Sequence, residues 1–294
     1  MDRRNFLHAI AGVAALAPQL PAFAAATGRL KQGVTRQVFN PSLSLDQCCQ
    51  LASSLGVLGF DFIDRPGDWA TIRRHGMTVS MLRADYHGND DYRQPLPVGW
   101  HSIGLKQAQG EYLVAIRELI DTAAKEGFPN VIVLAGDRTH VDYRQGADNT
   151  VEFLKLIKAQ AESRGVTVCM ELLNSLGIEA PKMSLFDHMA WGVGVMRRVD
   201  SQRVKILYDV FHAQLMEGNI TLNLRDAINY IGHVHTASVP GRHELFRADE
   251  LNYRSIAETL ADLKFRGFVT HEWSPSPGSN AREDFVRAVK LMTV

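Results

Sequence analysis

Cysteine is almost missing from this 294-residue chain, which holds only Cys48, Cys49 and Cys169. So few thiols exclude a disulfide framework and the Cys-rich ligand sets of structural zinc sites. Each reads as a small buried apolar side chain. Net charge is missing too, with 32 Lys+Arg against 32 Asp+Glu. That balance supplies no basic field for nucleic acid or anionic lipid, so neither is expected as a partner. No G-x-G-x-x-G follows the first strand candidate, so the dinucleotide fingerprint is absent. What is present is ordinary globular composition, 46% hydrophobic and 22% charged.

The N-terminus reads separately. "MDRRNFLHAIAGVAALAPQLPAFAAA" carries Arg3 and Arg4, then the apolar run Ala9 to Leu16, then Ala22-Phe23-Ala24 as a small-x-small cleavage site. This is the layout of a twin-arginine (Tat-like) export signal. The apolar run is shorter than the roughly 20 residues that span a bilayer. The expectation is a signal over residues 1–26, a mature domain over 27–294, a periplasmic location and no stable membrane insertion once the signal is removed.

Within 27–294, short apolar runs alternate with helix-length amphipathic stretches. The strand candidates are "KQGVTRQV", "LGFDFID", "TVSML", "NVIVLAG", "VTVCMEL", "KILYDV", "HVHTASV" and "FVTHEW". Helix candidates such as "GEYLVAIRELIDTAAKEG" and "DNTVEFLKLIKAQAESRG" lie between them. Several end in Gly, and Asp148-Asn-Thr offers capping chemistry for a helix start. Eight strands alternating with helices imply a parallel sheet closed on itself, a single α/β domain of the (β/α)8 TIM-barrel class. The longest irregular stretch, "RADYHGNDDYRQPLPVGWHSIGLKQAQG", follows the third strand, where Trp100 and His101 are candidates to cover a substrate.

Four of these strands end on metal-ligand side chains. Glu171 closes the fifth, Asp209 the sixth, His235 lies in the seventh and Glu272 closes the eighth, separated by 38, 26 and 37 positions. Each spacing is about one βα unit, so all four reach the C-terminal rim, where barrel active sites lie. Alternation along a strand puts Cys169 and Thr167 on the face of Glu171, Leu207 on that of Asp209 and Thr270 on that of Glu272. His233 shares the face of His235 one layer deeper and reads as a hydrogen-bonded core histidine. Three carboxylates in one cavity repel unless a cation neutralises them. A mainly oxygen site with one imidazole favours a single Mn²⁺, with Mg²⁺ and Co²⁺ as alternatives. In "ILYDVFHAQLMEGNI", Asp209 and His212 are candidates for the rim or, more simply, for a helix cap. Glu244 and Glu250 read as solvated or interface residues.

"MELLN", "YDVFHAQLMEGN", "GHVHTASVPGRHE" and "VTHEW" resemble the hydroxypyruvate isomerase and D-tagatose 3-epimerase branches of the xylose-isomerase-like barrel superfamily. The resemblance implies that Glu171, Asp209, His235 and Glu272 bind one divalent metal. It implies that Glu171 and Glu272 double as the acid–base pair, and that His212 and Arg242 hold substrate oxygens. The substrate would be a small keto acid or sugar, isomerised between keto and aldehyde forms through an enediolate, or epimerised in the alternative reading. Two positions depart from the pattern: E-P-[LI]-N reads Glu171-Leu172-Leu173-Asn174, and His235 stands where typical hydroxypyruvate isomerases carry Gln. Two rival classes are weighed against this. An abasic-site endonuclease needs more ligands and a basic groove. A non-catalytic periplasmic sugar-binding barrel has no need of both Glu171 and Glu272. Homo-oligomerisation is left open by the sequence.

Overall fold

A computed structural model describes residues 28–39, 41, 43–83, 103–247 and 249–294. The export-signal segment 1–26 lies outside the described residues, as do Trp100 and His101.

Eight parallel strands run as β1 (Lys31–Thr35), β2 (Gly59–Asp61), β3 (Thr78–Met81), β4 (Asn130–Leu134), β5 (Thr167–Glu171), β6 (Val204–Asp209), β7 (Ile231–Thr236) and β8 (Phe268–His271). Their order is β3-β2-β1-β8-β7-β6-β5-β4. The ends of that order meet at Leu82, which bridges Val131 in parallel. There the Leu82 N–H donates to the Asn130 carbonyl at 3.0 Å, and the Ile132 N–H to the Leu82 carbonyl at 2.9 Å. Closure makes a single (β/α)8 TIM barrel, as the alternation of strand and helix signals predicts.

The helices are α1 (Leu45–Ser54), α2 (Pro66–Arg74), α3 (Gln109–Glu126), α4 (Tyr143–Arg164), α5 (Met189–Val199), α6 (Val210–Met216), α7 (Ile220–Ala227), α8 (Tyr253–Asp262) and α9 (Ala281–Met292). Local chemistry sets their ends. Ser44 and Gln47 form a reciprocal capping box before α1. Gly165, at φ +70°, closes α4 in the left-handed region that an L side chain enters at a cost. The start of α4 corrects the sequence reading. It lies at Tyr143, where the Asp142 carboxylate accepts from the Gln145 N–H at 2.8 Å, and Asp148 falls inside the helix. Both segments carry capping residues, and the upstream one wins because Thr150, Val151 and Gly146 are already packed in helical register.

Strand alternation divides the core in two. Met81, Ile132, Cys169 and Leu207 pack together inside the barrel. Val168, Met170, Ile206 and Tyr208 point outward into the larger layer between strands and helices. The interior layer is thin in apolar groups because His233, Asp61, Ser80 and Thr270 fill the rest of it, all fully buried. Polar side chains survive there only by pairing. All three cysteines are buried and free, as their sequence contexts suggest.

Candidate active site

Glu171 and Asp209 are the last residues of β5 and β6, His235 is the penultimate residue of β7, and Glu272 is the first residue beyond β8. The register sets Asp209 beside His235 and His235 beside Thr270. Adjacent parallel strands therefore lift the four side chains to one height. One ligand atom from each of Glu171, Asp209, His235 and Glu272 lies within 4.8 Å of the other three. The sequence reading singled out these four, and the fold brings them together.

His235 sits at the centre. Its Nδ1 lies 2.7 Å from Glu272 Oε2 and 3.6 Å from Glu171 Oε1. Its Nε2 lies 3.0 Å from Asp61 Oδ2. A carboxylate only accepts, so Nε2 carries a proton and Nδ1 is the atom turned toward the acids. Asp61 was missed by the sequence reading. Its only signal there was one acid inside the apolar run "LGFDFID". It also accepts from His233 Nε2 at 2.7 Å and from the Ser80 hydroxyl. Burial alone would push the Asp61 carboxyl up, but the imidazoles of His233 and His235 outweigh it and hold it well below the usual range. His233 is the core histidine the sequence suggested. It is bonded to Asp61 and Thr270, and burial pushes its imidazole down.

Arg242 is no surface loop residue. Its Nη2 donates to Asp209 Oδ2 at 3.0 Å and to Glu272 Oε2 at 2.7 Å. The side chain is 11% exposed, and the backbone adopts φ +55°. Phe62, edge-on to His235 at 5.8 Å, is also left-handed at φ +62°. Non-glycine residues in that region cost about 1–3 kcal/mol each and gather at ligand sites. Asp209 answers both readings of its stretch. One oxygen caps α6 by accepting from the Phe211 and His212 N–H groups at 2.8 and 3.2 Å, while the other faces Arg242. His212 is fully buried in α6, and burial pushes its imidazole down to about 4, so it is neutral near pH 7.

Glu244 overturns the solvated reading. It is fully buried, and it accepts from the Ser276 N–H at 3.0 Å, from the Ser276 hydroxyl and from Arg247 Nε at 2.9 Å. It pins the loop that carries Arg242 to Ser276, 32 positions along the chain. Glu250 is exposed, as expected.

The rim residues open on a cavity of about 250 Å³. Glu171, Glu272, His212 and Arg242 form a polar wall, faced by apolar residues that include Phe62, Ile132, Leu134 and Leu173. A small polyoxygenated molecule suits such a chamber. At the rim the carboxyl groups of Glu171, Asp209 and Glu272 crowd one another, and the Arg242 guanidinium reaches two of them. Burial opposes the imidazolium of His235, yet Glu272, Asp61 and Glu171 together raise it well above its ordinary value. Burial also raises the Glu171 carboxyl, with Glu272 and Asp209 adding to it. Each shift expresses the same demand for positive charge. The buried Nδ1 of His235 lies 2.7 Å from Glu272 Oε2 but makes no well-directed hydrogen bond among the described residues. One divalent cation suits the crowded carboxylates, the oxygen-rich donor set and that nitrogen together.

The chain matches the xylose isomerase-like TIM barrel model over residues 50–292. It belongs to that family. Relatives in the family include a hydroxypyruvate isomerase of Danio rerio recorded as putative, 33% identical over 144 residues, 49% of this chain and 51% of that protein. The alignment therefore spans about half the length of that relative. A 2-oxo-tetronate isomerase of Cupriavidus necator is 29% identical over 217 residues, 74% of this chain and 72% of that protein. The crystal structure of D-psicose 3-epimerase with D-tagatose, from Clostridium cellulolyticum H10, superposes with a TM-score of 0.68 at 19% identity. It covers 90% of this chain and 98% of its own, a likeness of fold. The curated relatives of this chain include isomerases and an epimerase.

The Asp61–His235 pair makes a prediction within this family site. Carboxylates behind ligating histidines typically contribute about 10- to 100-fold in metal affinity. Asp61→Asn, which keeps the acceptor oxygen but loses the charge, is expected to weaken Mn²⁺ binding by that factor in isothermal titration. Unchanged affinity would show that Asp61 serves the core alone.

Proposed function

We propose that this protein is a divalent-metal-dependent isomerase of the hydroxypyruvate isomerase type. It would interconvert the keto and aldehyde forms of a small hydroxy-carbonyl substrate by proton transfer through an enediolate. The observation that carries this reading is the convergence of Glu171 and Glu272 on one imidazole, at 3.6 and 2.7 Å from His235 Nδ1, at the mouth of a small polar-walled cavity. Glu171, Asp209, His235 and Glu272 would hold the cation. When bound, the cation would supply Lewis-acid polarisation of the substrate carbonyl and stabilise the charge that develops on its oxygens.

The remaining work falls to side chains. Burial opposes ionisation of Glu272, but Arg242 and then His235 outweigh it and lower its carboxyl, so it stays a carboxylate able to accept the proton next to the carbonyl. Glu171 is pushed the opposite way and is the better proton donor. Two carboxyl groups whose environments drive them apart make an acid–base pair. Arg242 and His212, both at the cavity wall, are placed to donate to substrate oxygens.

A second reading, ketose 3-epimerisation, has two observations in its favour. Position 235 is a histidine, as in the epimerase branch, and the chain resembles D-psicose 3-epimerase. The two differ only in where the proton returns. A screen of hydroxy-keto acids and ketoses by NMR in D₂O, with Mn²⁺ added before the reaction and removed before recording, separates them. Deuterium with aldehyde formation supports the isomerase, and deuterium with inversion at one carbon supports the epimerase. Binding with no exchange in any substrate would overturn both and leave a sugar-binding barrel.

A further inference from the structure

Asn174 follows Glu171 by three positions and is fully buried. Its Oδ1 accepts from the Leu176 N–H at 2.9 Å and from the Ile178 N–H at 3.4 Å. Its Nδ2 donates to the Ile178 carbonyl at 2.6 Å. These backbone groups define the amide's orientation. Turning it over would set its NH₂ against two N–H groups and its oxygen against a carbonyl. In the orientation that remains, Nδ2 also lies 2.8 Å from His212 Nδ1. A donor faces that nitrogen, so Nδ1 must offer its lone pair. A neutral imidazole accepting at Nδ1 carries its proton on Nε2.

Nε2 of His212 is buried and has no hydrogen-bond partner among the described residues. The ring lines the cavity with Glu171, Glu272 and Arg242. The nearest acid is Asp209 Oδ2, at 3.7 Å, beyond hydrogen-bond reach. A buried N–H left without a partner carries a desolvation cost, and a ligand oxygen relieves it. We infer that Asn174 is a positioning residue that locks His212 as its Nε2–H tautomer, so that the ring presents one neutral donor to an oxygen of a hydroxy-carbonyl substrate. The inference deepens the isomerase reading and rests on it for the identity of that oxygen. The lock itself follows from geometry.

The arrangement differs in kind from Arg242, the other donor on that wall. Arg242 already shares its Nη2 with two carboxylates. His212 has its Nε2–H wholly available, and a donor spent on no ground-state partner favours the state in which substrate charge is greatest. The link also ties the β5–α5 loop to α6 across 38 positions of sequence, so loop and ring move together.

The test uses the full-length protein labelled with ¹⁵N-histidine, loaded with diamagnetic Mg²⁺, and the His212 signals assigned by their loss in His212→Gln. The expected spectrum has a protonated Nε2 and an unprotonated Nδ1. Asn174→Asp, which places an acceptor against Nδ1, is expected to draw a proton onto Nδ1. It should also lower kcat for deuterium exchange about 100-fold, with KM changed far less. Asn174→Ser, which keeps a hydroxyl donor, should restore part of the loss. A wild-type ring protonated on Nδ1 overturns the inference, whatever the activity. Asn174→Asp with wild-type kcat overturns it too. A wild-type Nε2–H tautomer in a protein that exchanges no substrate supports the lock and overturns the isomerase reading alone.

Discussion

Stripping divalent metal with EDTA is expected to abolish proton exchange and to lower the melting temperature by about 5–10 °C, with Mn²⁺ restoring both. The size follows from linkage. A ligand present at a hundred times its dissociation constant stabilises the folded state by about 2.7 kcal/mol. Each kcal/mol is worth about 2–4 °C in a domain of this size. The physical source is the crowding of the Glu171, Asp209 and Glu272 carboxyl groups at the rim, two of which the Arg242 guanidinium reaches. Affinity should depend on pH with a definite sign. Burial and neighbouring carboxylates hold Glu171 above its ordinary value, and His235 is raised well above that of a free imidazole. Both therefore bind protons that a cation must displace, so binding tightens as pH rises and weakens as it falls. Calorimetry in buffers of different ionisation heat should show protons released on Mn²⁺ binding. Melting and activity indifferent to EDTA, with no proton release, would remove the metal from the proposal.

The second large effect is expected from Glu272→Gln. The substitution keeps the shape and one acceptor oxygen but deletes the charge that removes the proton. A positioned acid or base contributes about 10²–10⁴-fold, so deuterium exchange should fall by at least the lower figure at saturating Mn²⁺. Loss of cation binding could mimic this, so bound metal is measured in the same samples. Full metal occupancy with exchange lost assigns the proton transfer to Glu272. The fold should tolerate the change, because Arg242 retains Asp209 at 3.0 Å and is not left as a lone buried charge. Glu171→Gln should be equally damaging to exchange. Retained exchange in either variant would exclude that residue as the acid or base, and a wild type without exchange would favour a binding protein.

Much of the candidate site could be read from the chain because a barrel turns spacing into height. Glu171, Asp209, His235 and Glu272 each stand at a strand end one βα unit from the next. Parity then separated Cys169 and Leu207, inside the barrel, from Met170 and Tyr208, outside it. Other features had no local trace. Asp61 lies 174 positions from His235, and its neighbours give only the pattern of a buried strand. Glu244 looked solvated because its partner Ser276 is 32 positions away. The start of α4 moved from Asp148 to Tyr143 because two adjacent segments both carry capping residues and only packing chooses between them.

The sequence by itself determined the eight-stranded alternation, the inward faces of the last four strands and the chemical types at the rim. Strands and helices show themselves through periods of two and 3.6 residues that need no distant partner to be seen. Tertiary structure decided the states of those groups: how firmly its acidic neighbours hold the proton on His235, which partner meets the ring of His212, which glutamate holds its proton longer, and where Arg242 spends its charge. These depend on desolvation and on pairings between strands and loops far apart in the chain, and neither exists until the barrel closes.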